Sequence, residues 1–185
     1  MATGTVIDLW RWPVLGMYGE QLISTRIDAL GVAGDRVHRA EGAGERLARW
    51  RAGYPFTPGG AIEAENPPYP TVTSPRERNV YRWGDPRLIV ALERDLRCRI
   101  RPVRDLETPR GVIVATEPPA GDAGHAGVNV QLDLDPPPGG WSGTELEFEH
   151  GVRLRLFNSR ADGPGIEARV LTAGRVQLGE GVALG

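Results

Sequence analysis

Proline and glycine punctuate this chain so densely that few long regular elements fit between them: 16 prolines and 25 glycines are spread over 185 residues. Proline fixes φ and donates no ladder hydrogen bond, and glycine weakens the interior of helix and strand alike, so regular structure stops where they cluster. The pieces left between them are of strand length. Residues 4–12 alternate as a first strand that Pro13 ends or bends, residues 20–30 are rich in β-branched and apolar side chains, and residues 35–39 follow a Gly31-Val32-Ala33-Gly34 turn. Residues 41–50 read as a short helix and residues 54–70 as an ordered loop. One segment is a helix on its own signals. Asp85 is a good N-cap, Pro86 fits a first turn, and Leu88, Ile89, Leu92 and Leu96 share one face, with Glu93 and Arg97 spaced to pair.

Seven further strand-like segments follow, at 99–103, 111–116, 128–134, 145–148, 152–157, 167–171 and 176–178, with tight turns expected at His150-Gly151 and Ala173-Gly174. Many short strands with one good helix predict a mainly β protein, a β-barrel or closed sheet carrying one or two short helices. No internal repeat and no dividing linker is visible, so the expectation is a single domain over residues 1–185.

Composition narrows the chemistry. No stretch approaches the ~18 apolar residues that span a bilayer, and the first residues lack a basic-then-apolar leader, so a cytoplasmic protein is expected. The single cysteine, Cys98, excludes an internal disulfide and a cysteine-rich metal site. His38, His125 and His150 show no metal-ligand spacing. A net charge of −2 leaves no overall footprint for nucleic acid. All 22 basic residues are arginine, which excludes a lysine aldimine with pyridoxal phosphate. Any bound anion must therefore be held by guanidinium forks and backbone amides.

Three passages resemble the MOSC family, the module named after the molybdenum cofactor sulfurase C-terminus. The first is Trp10-Arg11-Trp12-Pro13-Val14 with Gly19-Glu20 and the turn Gly31-Val32-Ala33-Gly34-Asp35-Arg36; the second is Trp83-Gly84-Asp85-Pro86 leading to Arg101-Pro102-Val103. The third is Gly165-Ile166-Glu167-Ala168-Arg169-Val170-Leu171 with Gly174-Arg175-Val176-Gln177-Leu178-Gly179, similar to a closing hairpin of bacterial members. The resemblance implies a β-barrel that binds molybdenum cofactor or carries sulfur on a cysteine near the end of a C-terminal strand. A thiolate suits both tasks, as a sulfur nucleophile and a soft metal ligand. The passage where that cysteine is expected, residues 154–160, contains none. Leu15 and Gly16 stand where the family has lysine and serine, and Gly127 or Val128 stands where it has an arginine before the position of Asn129. These departures make sulfur carriage doubtful.

The candidate cofactor- or ligand-binding residues are Asp35, Arg36, Asn129, Ser159 and Arg160. Arg36 either grips an anionic ligand or pairs with Asp35 to pin the turn. Asn129, Gln131 and Asp133 fall on one strand face, either lining a pocket or facing solvent. Ser159 can hydrogen-bond a ligand but cannot replace a thiolate. Cys98, between Arg97 and Arg99, is either activated by those charges or a small residue packed at a helix end. Glu145, Glu147 and Glu149 suggest either acid-base work or an exposed charged strand. The five tryptophans, Trp10 and Trp12 among them, suggest core packing or an aromatic ligand wall. Three functions follow: binding of molybdenum cofactor or a related small anionic ligand, a barrel recruited as a cysteine-independent enzyme, or a non-catalytic accessory binding protein.

Overall fold

Alternation of inward apolar and outward charged side chains builds the largest element of the protein. The computed structural model describes residues 3–55, 62, 66–76, 78–116, 127–135, 140–159 and 165–185. Its first strands are β1 (Thr3–Arg11), β2 (Val14–Leu15), β3 (Glu20–Gln21), β4 (Ser24–Asp28), β5 (Gly31–Val32) and β6 (His38–Glu41), followed by a 3-10 helix at Glu45–Arg49. Then come β7 (Arg51–Gly53), β8 (Thr71–Thr73), β9 (Val80–Arg82), helix α1 (Pro86–Leu96) and β10 (Arg101–Arg104). The chain continues through β11 (Val112–Ala115), β12 (Val130–Asp133), β13 (Glu145–Phe148) and β14 (Arg153–Ser159). It ends with β15 (Ile166–Thr172), β16 (Gly174–Gln177) and β17 (Gly181–Leu184). Among the described residues no helix is long and apolar enough to cross a membrane.

The chain forms two compact units, each discontinuous in sequence: Met1–Trp10, Gln21–Ala33 and Pro109–Gly185 in the first, and Arg11–Glu20 with Gly34–Thr108 in the second. The first is a closed seven-stranded β-barrel, in the order β1-β12-β11-β15-β14-β13-β17 and back to β1. β14 shows why it closes: Leu154 and Leu156 point inward and are fully buried, while Arg153, Arg155 and Phe157 face out. Val6, Leu9, Leu132, Leu146 and Phe148 fill the same interior. β11 and β12 run parallel and the other neighbouring pairs of the barrel run antiparallel. β11 is buried on both faces, with Ile113 and Ala115 packing against Val128 behind the wall.

Several expected boundaries shift. The single strand expected over 20–30 is broken into β3 and β4, and Leu22 between them donates its N–H to the Leu9 carbonyl. The expected closing hairpin is not one: β15 pairs with β11 and β14, whereas β16 pairs with β4. Thus Ala173-Gly174 carries the chain from one sheet to another. The strand that closes the barrel beside β1 is β17, which its short Gly-Val-Ala-Leu sequence does not announce.

In the second unit β7, β8 and β9 form one small antiparallel sheet, and β10, β6 and β2 form another. α1 begins as its sequence dictates, with Asp85 accepting the Arg87 N–H at 2.9 Å. Leu88, Ala91, Leu92 and Leu96 pack with Trp50, Val72 and Trp83 into this unit's core, and Ile89 lies at its margin. The expected Glu93–Arg97 pair is replaced by other contacts. Arg97 leaves the helix in the left-handed region (φ 58°), its N–H still on the Glu93 carbonyl, while Glu93 Oε1 accepts the Ile100 N–H. The helix expected over 41–50 is the single 3-10 turn at Glu45–Arg49. The strand expected over 35–39 starts only at His38, because residues 33–36 form the turn itself.

Candidate functional site

The part of the first resemblance passage that lies in the second unit, within residues 11–20 and 34–36, folds into one polar network. Asp35 has no exposed surface, yet both its oxygens are engaged: Oδ1 accepts the Trp12 N–H at 2.7 Å and Oδ2 accepts Arg36 Nε at 2.5 Å. The Arg36 N–H returns a bond to the Trp12 carbonyl at 2.7 Å. A buried carboxylate is tolerated when it is paired and hydrogen-bonded in this way. The turn therefore locks onto the Trp12-Pro13 segment from two directions.

Its neighbours extend the network. Arg11, nearly buried, meets Glu20 at 2.7 Å, and Glu20 also accepts the Tyr54 N–H. The Arg11 guanidinium lies 4.7 Å from the Tyr54 ring centroid. Tyr54 donates its hydroxyl to the Gly34 carbonyl at 2.8 Å, and burial pushes its phenol well above the ordinary tyrosine range, so it stays a donor. Gly34 is required twice over: its φ is +76°, and a Cβ would stand 2.8 Å from the Tyr54 ring. Of the charges in this network, the sequence marks Asp35 and Arg36 as candidates. Arg11 and Tyr54 gave no local signal.

The other candidates belong to the first unit. Asn129 does not lie mid-strand and does not face solvent. It is buried, accepting the Ile113 N–H at 3.0 Å and donating to the Trp10 carbonyl at 3.3 Å. Its side-chain amide thus ties β11 to β1 just before β12 starts. Gln131 is buried as well, and of that polar face Asp133 alone is exposed. Ser159 ends β14, paired with Ile166 beyond a β-bulge that follows Leu156. The register Ser159–Ile166–Val114–Val130 runs across four adjacent strands, so Ser159 and the start of β12 share one row of the barrel wall. Arg160 and His125 lie outside the described residues.

The remaining candidates resolve individually. Cys98 is half-buried and packs against the α1 core, as a small residue at a helix end does. Glu145 pairs with Arg153 and Arg155 on the exposed side of β13 and β14, which is charge pairing on a solvated strand. His150 pairs with the buried Glu180 at 2.8 Å in the first unit. His38 is fully buried in the second, its Nδ1 3.3 Å from the Pro13 carbonyl and its ring beside Tyr69 and Trp83. Among the described residues no three His, Cys, Asp or Glu side chains gather around a metal-sized site. Thiolate ligation of molybdenum does not fit this chain: the barrel strand expected to supply it has no cysteine, and Cys98 belongs to the helix end.

No protein-family model matches the chain, and no curated protein matches it. Among solved structures it is similar to the YUAD protein from Bacillus subtilis, at 14% identity and a TM-score of 0.49, over 100% of this chain and 98% of that one.

Proposed function

We propose that this is a MOSC-type barrel protein that binds a small anionic ligand, molybdenum cofactor or a related oxyanion-bearing molecule, through arginine and without sulfur transfer. The observation that carries the reading is the convergence of the motif residues. Trp12, Glu20, Gly34, Asp35 and Arg36 come from three separate segments of the first passage, and each has a bonded place in one network. Asp35 holds Arg36 by its Nε, which fixes the plane of the guanidinium, and a fixed planar fork is the geometry that grips an oxyanion. The absence of cysteine from residues 154–160 removes the nucleophile that sulfur carriage requires.

The test is to denature the purified protein, identify released small molecules by mass spectrometry, and measure molybdenum by elemental analysis. A stoichiometric anionic ligand that is lost in Arg36→Gln supports the reading. Protein that is ligand-free, and that takes up neither added molybdate nor added cofactor, counts against it.

A further inference from the structure

Five arginines line a concavity of the second unit and the hollow that adjoins it, around a single described carboxylate, and we infer that this is a binding site for the phosphate or pyrophosphate group of a small phosphorylated molecule. The concavity has a volume of about 260 Å³, with Trp50 and Tyr81 among its walls and Arg76, Arg94 and Arg97 at its rim. It adjoins a second hollow that shares Arg76, Asp95 and Arg97 and adds Arg46 and Arg49. The arginines come from the 3-10 helix, the turn after β8 and the last turn of α1.

Asp95 does not neutralise Arg46, Arg76 or Arg97. Its Oδ2 accepts Trp50 Nε1 at 2.9 Å and Arg49 at 3.2 Å, so it is already committed to one of the five. No described carboxylate pairs with Arg46, Arg76 or Arg97. Like charges lining one hollow repel one another unless an anion joins them, and a concave wall focuses their field. One carboxylate ligand would need one guanidinium fork, whereas several arginines around one hollow match an anion with several oxygens and more than one charge. The aromatic walls add an apolar surface on which the organic part of such a ligand can rest. A nucleic acid surface fits less well, because the site is a hollow and the chain as a whole carries −2. The inference is independent of the reading above, since it uses none of the residues of the Asp35–Arg36 network.

Calorimetric titration of the full chain with sodium pyrophosphate tests it, with orthophosphate, citrate and a single-stranded oligonucleotide as parallel probes. Pyrophosphate is expected to bind, and more tightly than orthophosphate or citrate. Arg76 is exposed on a turn, so Arg76→Gln leaves the core untouched, and it should weaken pyrophosphate binding about tenfold, as loss of a charge-assisted hydrogen bond does. Arg169→Gln, on β15 of the other unit, should change nothing. The inference is overturned if pyrophosphate does not bind, if Arg76→Gln binds it as well as the parent while circular dichroism shows both folded, or if citrate binds equally. Tighter binding of the oligonucleotide would assign the arginines to a nucleic acid surface and overturn it too.

Discussion

The barrel unit contains 7 arginines and 12 carboxylic side chains, whereas the second unit contains 15 arginines and 12. The one is net −5 and the other net +3, a contrast hidden in the overall −2. Their buried polar groups differ in kind as well. In the barrel, Asn129 and Glu180 are bound to the chain's own backbone, Glu180 accepting the N–H groups of His150 and Gln177. In the second unit the buried Asp35 orients a guanidinium, and further arginines line a hollow. The lesson is that the barrel's polar interior is consumed in holding its strands, while the cationic chemistry is concentrated in the smaller-stranded unit.

The sharpest way to break this contrast is Asp35→Ala. It leaves the Trp12 N–H without its acceptor and a partly buried guanidinium without its carboxylate, and should cost about 4 kcal/mol in urea unfolding. A loss below about 1 kcal/mol would show that the turn is held by other means. Asn129→Ala comes next. Two buried backbone groups lose their partner, so about 3 kcal/mol is expected, with no change in binding of any anion beyond what unfolding explains. Unchanged stability would return Asn129 to the list of ligand contacts.

Tyr54→Phe is milder, at about 1 kcal/mol, because one hydrogen bond is lost and the ring still packs. It also has a spectroscopic signature. Tyr54 ionises above the ordinary tyrosine range, so its stabilisation is full below about pH 10 and is lost as pH rises beyond; the latest-titrating tyrosine should vanish from the ultraviolet titration of the variant. The smallest effect separates the units by acid. Hydrogen bonding to Arg155 and Arg153 holds Glu145 below its ordinary value of 4.5 in the barrel unit, and Arg101 and Arg39 do the same to Glu41 in the other. Both contributions are present above that value and fade as pH falls through the lowered one. As pH falls from neutral through that ordinary value of 4.5 and below it, Glu145→Gln should flatten the fall in urea midpoint slightly, and Glu41→Gln should do so for the second unit's tryptophan signal.

Local patterns carried much of the fold. α1 was readable because its N-cap, first-turn proline and apolar face all lie within a dozen neighbouring residues, and β13 matches its expected limits because its alternation is uninterrupted. The Asp35–Arg36 turn was likewise visible as a motif. Pairing was not. β15 and β16 look like a hairpin in sequence, but each finds its partner elsewhere, because the barrel's closure offers β15 two neighbours and leaves β16 to β4. Strand alternation leaves Asn129 either lining a pocket or facing solvent, and its burial depends on β1, more than a hundred residues earlier.

By itself the sequence determined a mainly β chain of short strands with one true helix, no lysine chemistry, and no thiolate in the C-terminal strand passage. Those follow from residue identity and from spacing within a few turns of chain. Closure of the seven-stranded barrel, the locking of Trp12 to Asp35 and the gathering of arginines around Asp95 were decided only by the tertiary structure. Each joins residues far apart in sequence, and such pairings are selected by burial and hydrogen-bond satisfaction of the whole fold, which no local window contains.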